Sequence, residues 1–206
     1  MIDEQRWKEI RAGREEPFLE LYHEHQGGIF RFTLRMAGDE AMAEDVVQEV
    51  FLCLIRPGVD QTGYDPQRGS LASYLYGVAR NMVRARLRAR GRLHPLADQE
   101  DGKNFTNREQ REWECDLATP HDDLIRRETI DSVRQAVLAL PEHYREAIIL
   151  CDLHEMSYQE VAQILGCSLG TVRSRLHRGR LLLLDRLRGE MPVTQSEAER
   201  SVKEVI

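Results

Sequence analysis

The sequence predicts an all-α protein built as two small helical domains joined by a flexible acidic linker. Three observations carry this. Apolar residues recur at three- and four-residue intervals in one stretch after another, the period of a helix with one buried face. Charge is arranged in blocks, a basic stretch over 71–92 being followed by an acidic one over 94–123. The segment Leu140–Leu187 carries the turn chemistry of a helix-turn-helix. A chain of 206 residues holds one or two compact domains. The boundaries read as a first domain over 1–93, a linker over 94–123, a second domain over 124–188 and a polar tail over 189–206.

From Pro17 to Met36, Phe18, Leu21, Tyr22, Ile29 and Phe32 stand at helical spacing, with Gly27 and Gly28 as a weak point. This predicts one long or kinked helix. The next segment, DEAMAEDVVQEVFLCLI, sets Ala43, Val46, Val47, Val50, Phe51 and Leu54 on one face and Glu44, Asp45, Gln48 and Glu49 on the other. RPGVDQTGYDPQRGS has no periodicity and is rich in turn residues, so it reads as a long loop.

A third helix is predicted from Leu71, with Leu75, Val78, Met82 and Ala85 on its inner side. Arg80, Arg84 and Arg88 recur every four residues on the other side, joined by Arg86, Arg90 and Arg92, and no acid occurs from Leu71 through Arg92. Like charges four apart destabilise an isolated helix by a few tenths of a kcal/mol per pair, roughly. Such a surface fits a polyanion. Residues 94–123 then carry nine acids against Lys103, Arg108 and Arg111, the composition of a segment with little fixed structure.

The second domain opens with a helix carrying Leu124, Ile125, Ile130, Val133, Val137 and Leu138, up to the Leu140-Pro141 boundary. Ser157 and Glu160 have capping-box spacing before Val161, Ala162, Ile164 and Leu165, Gly166 permits the left-handed residue that ends this short helix, and Ser168 caps the next. Val172, Leu176 and Leu183 then form an inner face. Thr171, Arg173, Ser174, His177 and Arg178 are left outward on the N-terminal half, where a recognition helix meets base edges. Between Thr171 and Leu184 there are four arginines and no acid, although the whole chain carries a net charge of −6. Basic charge is thus concentrated, and the overall acidity argues against indiscriminate coating of nucleic acid.

Cys53, Cys115, Cys151 and Cys167 are widely separated and form no CxxC pair or zinc-spaced cluster, so no metal or other cofactor is expected. Cys53, Cys151 and Cys167 read as small core residues. The histidines at 94, 121, 143 and 154 have neither metal-ligand spacing nor a paired nucleophile, which argues against a nucleic-acid-processing enzyme. No apolar run is long enough to cross a bilayer and MIDEQRWKEI lacks the regions of a signal peptide, so a cytoplasmic protein is expected.

Taken together, AEDVVQEVFLCLI, YDPQRGSLASYLYGVARN, and LPEHYREAIIL with SYQEVAQILGCSLGTVRSRLHRGR stand in the order found in the extracytoplasmic-function (ECF) sigma factors of the sigma-70 family, which the chain resembles over most of its length. The resemblance implies a promoter-specificity subunit rather than an enzyme. It implies a region 2 domain that binds core RNA polymerase and recognises and melts the promoter −10 element, and a region 4 domain that reads the −35 element. Asp45, Gln48 and Glu49 match the surface that docks on the beta-prime clamp helices, and region 4 would meet the beta flap. Asn81 matches the family asparagine that bonds a base edge, Arg80, Arg84 and Arg88 would hold phosphates, and Tyr64 or Tyr74 would stack on an extruded base. Arg173, Ser174, His177 and Arg178 take −35 recognition, with Thr171 beside them and Arg175 and Arg180 nearer the backbone; arginine pairs bidentately with guanine. An anti-sigma partner is also implied, one that would clamp the two domains and hide both DNA-reading helices. The run after Asn81 departs from the family by lacking the acid of the D-x-x-R-R segment. The alternative is a dimeric activator or repressor whose N-terminal helices sense a ligand.

Overall fold

The structure, a computed structural model, describes residues 4–55, 64–67, 69–91 and 120–190. The described residues form helices without strands. The first half holds α1 (Glu4–Arg11), α2 (Glu15–Ala37), α3 (Glu40–Ile55) and α4 (Leu71–Ala89). The second holds α5 (Pro120–Leu138), α6 (Glu142–Ile148), α7 (Tyr158–Leu165) and α8 (Leu169–Glu190), with α6 running on into a wider π-type turn over Ile149–Leu153.

Local chemistry sets the helix ends. Gly38 closes α2 in the left-handed region (φ 65°), its N–H donating to the Leu34 carbonyl at 2.7 Å. The Asp39 carboxylate accepts from the Met42 N–H at 2.9 Å as α3 begins, and Ser70 caps α4 by accepting from the Ser73 N–H at 3.1 Å. Ile29, Phe32 and Met36 of α2, Val46 and Val50 of α3, and Leu75, Ala79 and Val83 of α4 are buried together as the first core. The N-terminal helix α1, which the sequence reading passed over, adds Trp7 and Ile10 to it, and Arg6 lies 3.6 Å from Glu20 and 3.4 Å from Glu24 on α2.

Several expectations change, although α2 is the single long helix expected, uninterrupted at Gly27 and Gly28. Glycine at 28 instead makes room for a neighbour, since a Cβ there would lie 2.5 Å from the Tyr76 hydroxyl oxygen. The inner face of α4 is Leu71, Leu75, Tyr76, Ala79, Val83 and Leu87, while Ala85 is exposed and Val78 and Met82 are half-buried. Cys53 is exposed, not a core residue, because it follows Phe51 onto the outer side of α3; Cys151 is buried. Ile130 is also exposed. Helix α5 begins at Pro120, inside the stretch read as linker; the rest of that linker, Cys115 and the polar tail after Glu190 lie outside the described residues, as does the loop over 56–63.

The second core joins Val137 and Leu140, Ile148–Leu150, Val161, Ile164 and Leu165, and Val172, Leu176 and Leu183. At Gly179 a Cβ would stand 3.1 Å from Ile148 Cγ1 and 3.3 Å from Tyr144 Cβ, so this glycine lets α8 lie close on α6. The two halves also pack on one another. Helix α2 meets α5, α6 and the π-type turn, and α4 meets α7. The buried apolar cluster therefore runs on from one half into the other.

Candidate nucleic-acid interface

Helix α8 is presented by the predicted turn. Ser157 Oγ accepts from the Glu160 N–H and the Glu160 carboxylate accepts from the Ser157 N–H at 3.0 Å, completing the capping box of α7. Gly166 ends α7 in the left-handed region, and Ser168 Oγ accepts from the Thr171 N–H at 3.1 Å to start α8. Burial of Val172 and Leu176 orients the helix, leaving Arg173, Ser174, His177 and Arg178 exposed together.

The other three residues of this group are engaged. Thr171 is half-buried with its hydroxyl 3.0 Å from Ser168 Oγ, and Arg175 Nη1 reaches Cys167 Sγ at 4.0 Å. Arg180 forks onto the buried Asp152 carboxylate, Nε donating to Oδ2 at 3.0 Å and Nη2 to Oδ1. That hydrogen-bonded pairing pushes the Arg180 pKa up, against the effect of burial. Arg180 thus fastens α8 to the π-type turn.

On α3, Asp45 and Gln48 are exposed on the face opposite Val46 and Val50, and Glu49 accepts from Arg86 Nη2 at 2.7 Å while keeping half its side chain exposed. An acidic surface therefore stands free beside α4. On α4 itself the predicted residues part company. Asn81 and Arg88 are exposed. Arg80 instead donates to Glu146, Nε to Oε1 at 2.7 Å and Nη2 to Oε2 at 3.1 Å, and Arg84 pairs with Glu142 while lying 3.8 Å from Glu146. Tyr64 is buried, edge-on to Trp7 at 5.0 Å between ring centroids and 5.6 Å from Tyr74, with its hydroxyl donating to the Gly69 carbonyl at 3.3 Å. Burial pushes the Tyr64 phenol pKa up. Tyr74 is half-buried against this pair.

Three polar groups at the junction of the halves make contacts that local spacing does not reveal, among them His154, which the sequence marks as a surface or cap residue. Glu146 is 1% exposed inside the run REAIIL, and burial pushes its carboxyl pKa up against the opposing pull of Arg80 and Arg84. An acid in an apolar run four residues after another acid was the available signal. Arg145 donates to the carbonyls of Met36 at 2.7 Å, Leu140 at 2.9 Å and Leu138, and burial pushes its pKa down to about 10. The His154 ring shares a 3.0 Å hydrogen bond between Nδ1 and the Tyr76 hydroxyl, and burial, with Arg35 and Arg31 adding to it, pushes its pKa down to about 4. Tyr76, His154, Glu24, His25, Arg31 and Glu155 line a hollow of about 320 Å³ at this junction. Among the described residues, no group of three or more His, Cys, Asp or Glu is placed to hold a metal ion, and no helix is long and apolar enough to cross a membrane.

A helical half that pairs an acidic face with a basic helix, followed by a helix-turn-helix with an arginine-bearing outer face, defines a promoter-recognition protein of the sigma-70 class. Sigma-70 region 2 matches residues 21–93 and sigma-70 region 4 matches residues 130–183. The ECF RNA polymerase sigma factor SigW of Bacillus subtilis is 31% identical over 189 residues, 91% of this chain and 98% of that protein. The ECF sigma factor SigE of Mycolicibacterium smegmatis is 32% identical over 168 residues, 82% of this chain but 60% of SigE, so the chain spans less than two thirds of that longer relative. The chain belongs to the ECF sigma factors. CnrH, solved in complex with the cytosolic domain of CnrY, shares the fold with a TM-score of 0.65 at 21% identity, over 92% of this chain and 99% of that one. The sigma factor RpoE of Bartonella quintana, solved with the anti-sigma factor NepR, does so with a TM-score of 0.56 at 20% identity, over 86% and 100%.

Proposed function

We propose that this chain is the promoter-specificity subunit of a bacterial RNA polymerase in which α4 reads the −10 element and α8 the −35 element, and that it is not itself an enzyme. The observation that carries the reading is the exposed face of Arg173, Ser174, His177 and Arg178, held by a complete helix-turn-helix on a chain of net charge −6. Positive charge confined to a recognition helix gives local docking in a major groove, where arginine and a base edge discriminate by ~1–3 kcal/mol per pair.

Region 2 spans 1–93 and region 4 spans 124–188 in this reading, with the acidic linker between them and the polar tail beyond. Asp45, Gln48 and Glu49 form the contact with the beta-prime clamp helices of core polymerase, complementary charge setting register and encounter rate more than affinity. Region 4 meets the beta flap. Asn81 bonds a base edge of the −10 element and Arg88, with Arg80 and Arg84 once released, holds its backbone. Tyr74 is the better placed stacking residue, since Tyr64 is enclosed by Trp7. A cytoplasmic location follows from the role. Control by an anti-sigma factor agrees with the partner solved on RpoE.

Run-off transcription with purified bacterial core polymerase on promoter fragments from the source genome tests this. Discrete transcripts that depend on the added chain are expected. Duplex DNA binding without transcripts and without co-elution with core would give the lead to a conventional dimeric regulator.

A further inference from the structure

Arg80 and Arg84 stand four apart on α4, and Glu142 and Glu146 stand four apart on α6. The two pairs meet in opposite chain order, Arg80 with Glu146 and Arg84 with Glu142. Both arginines are largely enclosed, at 12% and 16% exposure, and the Glu146 carboxylate takes Arg80 through the two-pronged fork that a phosphate also accepts. The occlusion is selective. The −35 face of α8 stays exposed, as do Asp45 and Gln48, so packing of the halves covers part of one DNA-reading helix and leaves the other free.

We propose that Glu142 and Glu146 are an internal substitute for nucleic-acid backbone, occupying Arg80 and Arg84 so that the free chain cannot engage single-stranded −10 DNA until its two halves part. The proposal rests on the reading of α4 as a nucleic-acid helix. Exchanging a carboxylate for a phosphate on the same guanidinium keeps the charge-assisted bonds, so the two acceptors compete directly. The closed state is also not overly tight, because desolvating a buried ion pair offsets much of its Coulomb attraction. Met36 on Arg145 and Tyr76 on His154 add hydrogen bonds across the same boundary. Gly28 shapes it from within the first half, since any side chain there would push the Tyr76 hydroxyl away from His154.

The test uses the full chain without polymerase and two variants outside the DNA-reading residues, Glu142→Gln, which removes one acceptor charge, and Gly28→Ala, which displaces Tyr76. Binding of a fluorescent 20-nucleotide single strand of mixed sequence is followed by anisotropy, binding of a duplex of the same sequence serves as the comparison, and the radius of gyration is taken from X-ray scattering. A closed state that holds about nine-tenths of the molecules lowers apparent affinity about ten-fold. Both variants should therefore bind the single strand up to about ten-fold more tightly than the parent, with duplex affinity unchanged and a larger radius of gyration. Opening without tighter single-strand binding would overturn the proposal, and so would unchanged compactness together with unchanged affinity. Run-off transcription by the parent chain separates the two levels: transcripts without a variant effect discard the internal substitute and keep the sigma-factor role, whereas no transcripts discard that role itself.

Discussion

Arg145 Nη1 donates to the main-chain carbonyl of Met36 at 2.7 Å, so a cation from the second half sits on the C-terminal end of α2 in the first. The same guanidinium serves the carbonyls of Leu138 and Leu140 at the turn into α6. A helix C-terminus carries partial negative charge, which makes a cation there favourable as well as a donor. One side chain thereby ties the α5–α6 turn to the other domain.

Arg145→Ala should destabilise the folded chain by about 2–4 kcal/mol, because it leaves buried carbonyls without a donor. Arg145→Lys should recover only part of the loss, since an ammonium has a compact set of donors and lacks the planar fork. Urea unfolding of both variants, read by helical circular dichroism, measures this. A loss under ~0.5 kcal/mol in the alanine variant would mean that water replaces the guanidinium at all three carbonyls.

Short-range signals in the sequence were accurate, and long-range ones were not. Ser157 with Glu160, Gly166 and Ser168 specify their turns through atoms within a few residues, and each forms the bond its spacing predicts. The outer face of α8 follows from Val172 and Leu176 alone. By contrast Arg80 and Glu146 are separated by 66 positions, and helical periodicity says nothing about which helix faces which. The same holds for Tyr64, which loses its open loop position to Trp7 on a helix far back in the chain. The inner face of α4 was misplaced because Tyr76 packs on Phe32 of α2 and bonds His154 of the second half, so this helix has neighbours on more than one side. In the chain without a partner, packing of the halves leaves Arg173 and Arg178 of the second DNA-reading helix exposed.

The capping box predicts a purely local stability effect. Ser157→Ala removes the acceptor for the Glu160 N–H and the hydroxyl donor to the Glu160 carboxylate, which keeps its bond from the residue 157 N–H, and should cost about 1 kcal/mol. Gly179→Ala should be at least as damaging, about 1–3 kcal/mol, because its methyl would press on Ile148 and Tyr144 where α8 crosses α6. Thermal melts of the full chain compare the two. The ranking fails if Gly179→Ala is neutral, which would show that α8 can lift from α6 without penalty.

The His154 imidazole gives the fold a pH dependence of defined sign. Its pKa is about 4 in the folded chain, against 6.5 for an unperturbed histidine, so the unfolded chain binds more protons between those values. This contribution is fully present above pH 6.5 and is lost as pH falls towards 4. At about 1.4 kcal/mol per pKa unit its ceiling is ~3.5 kcal/mol, and partial exposure of the ring makes the actual value smaller. Arg31 and Arg35 oppose the charged ring, while Glu24 and Glu155 share the hollow beside it. His154→Gln should therefore be less sensitive to pH than the parent between pH 5 and 7, measured as the difference in unfolding free energy. Parallel pH profiles for the two chains would show that His154 is solvated in the folded state.

The two exposed reading surfaces predict opposite mutational signatures. Asn81 is exposed on α4 beside the paired Arg80, and Arg173 is exposed on α8 away from every described salt bridge. Neither side chain supports the core, so alanine at either site should leave thermal stability within ~0.5 kcal/mol of the parent. If α4 holds the −10 element, Asn81→Ala should slow open-complex formation by holoenzyme, read by permanganate footprinting, and leave binding of duplex −35 DNA unchanged. Arg173→Ala should weaken −35 binding by ~1–3 kcal/mol, about ten-fold or more, and relax base preference at one position, since a lost bidentate contact removes discrimination as well as affinity. A variant that lost only a phosphate contact would instead bind all sequences more weakly and show a shallower salt dependence. Equal effects of the two substitutions in both assays would exclude the division of labour between α4 and α8, because each side chain would then act on the element assigned to the other.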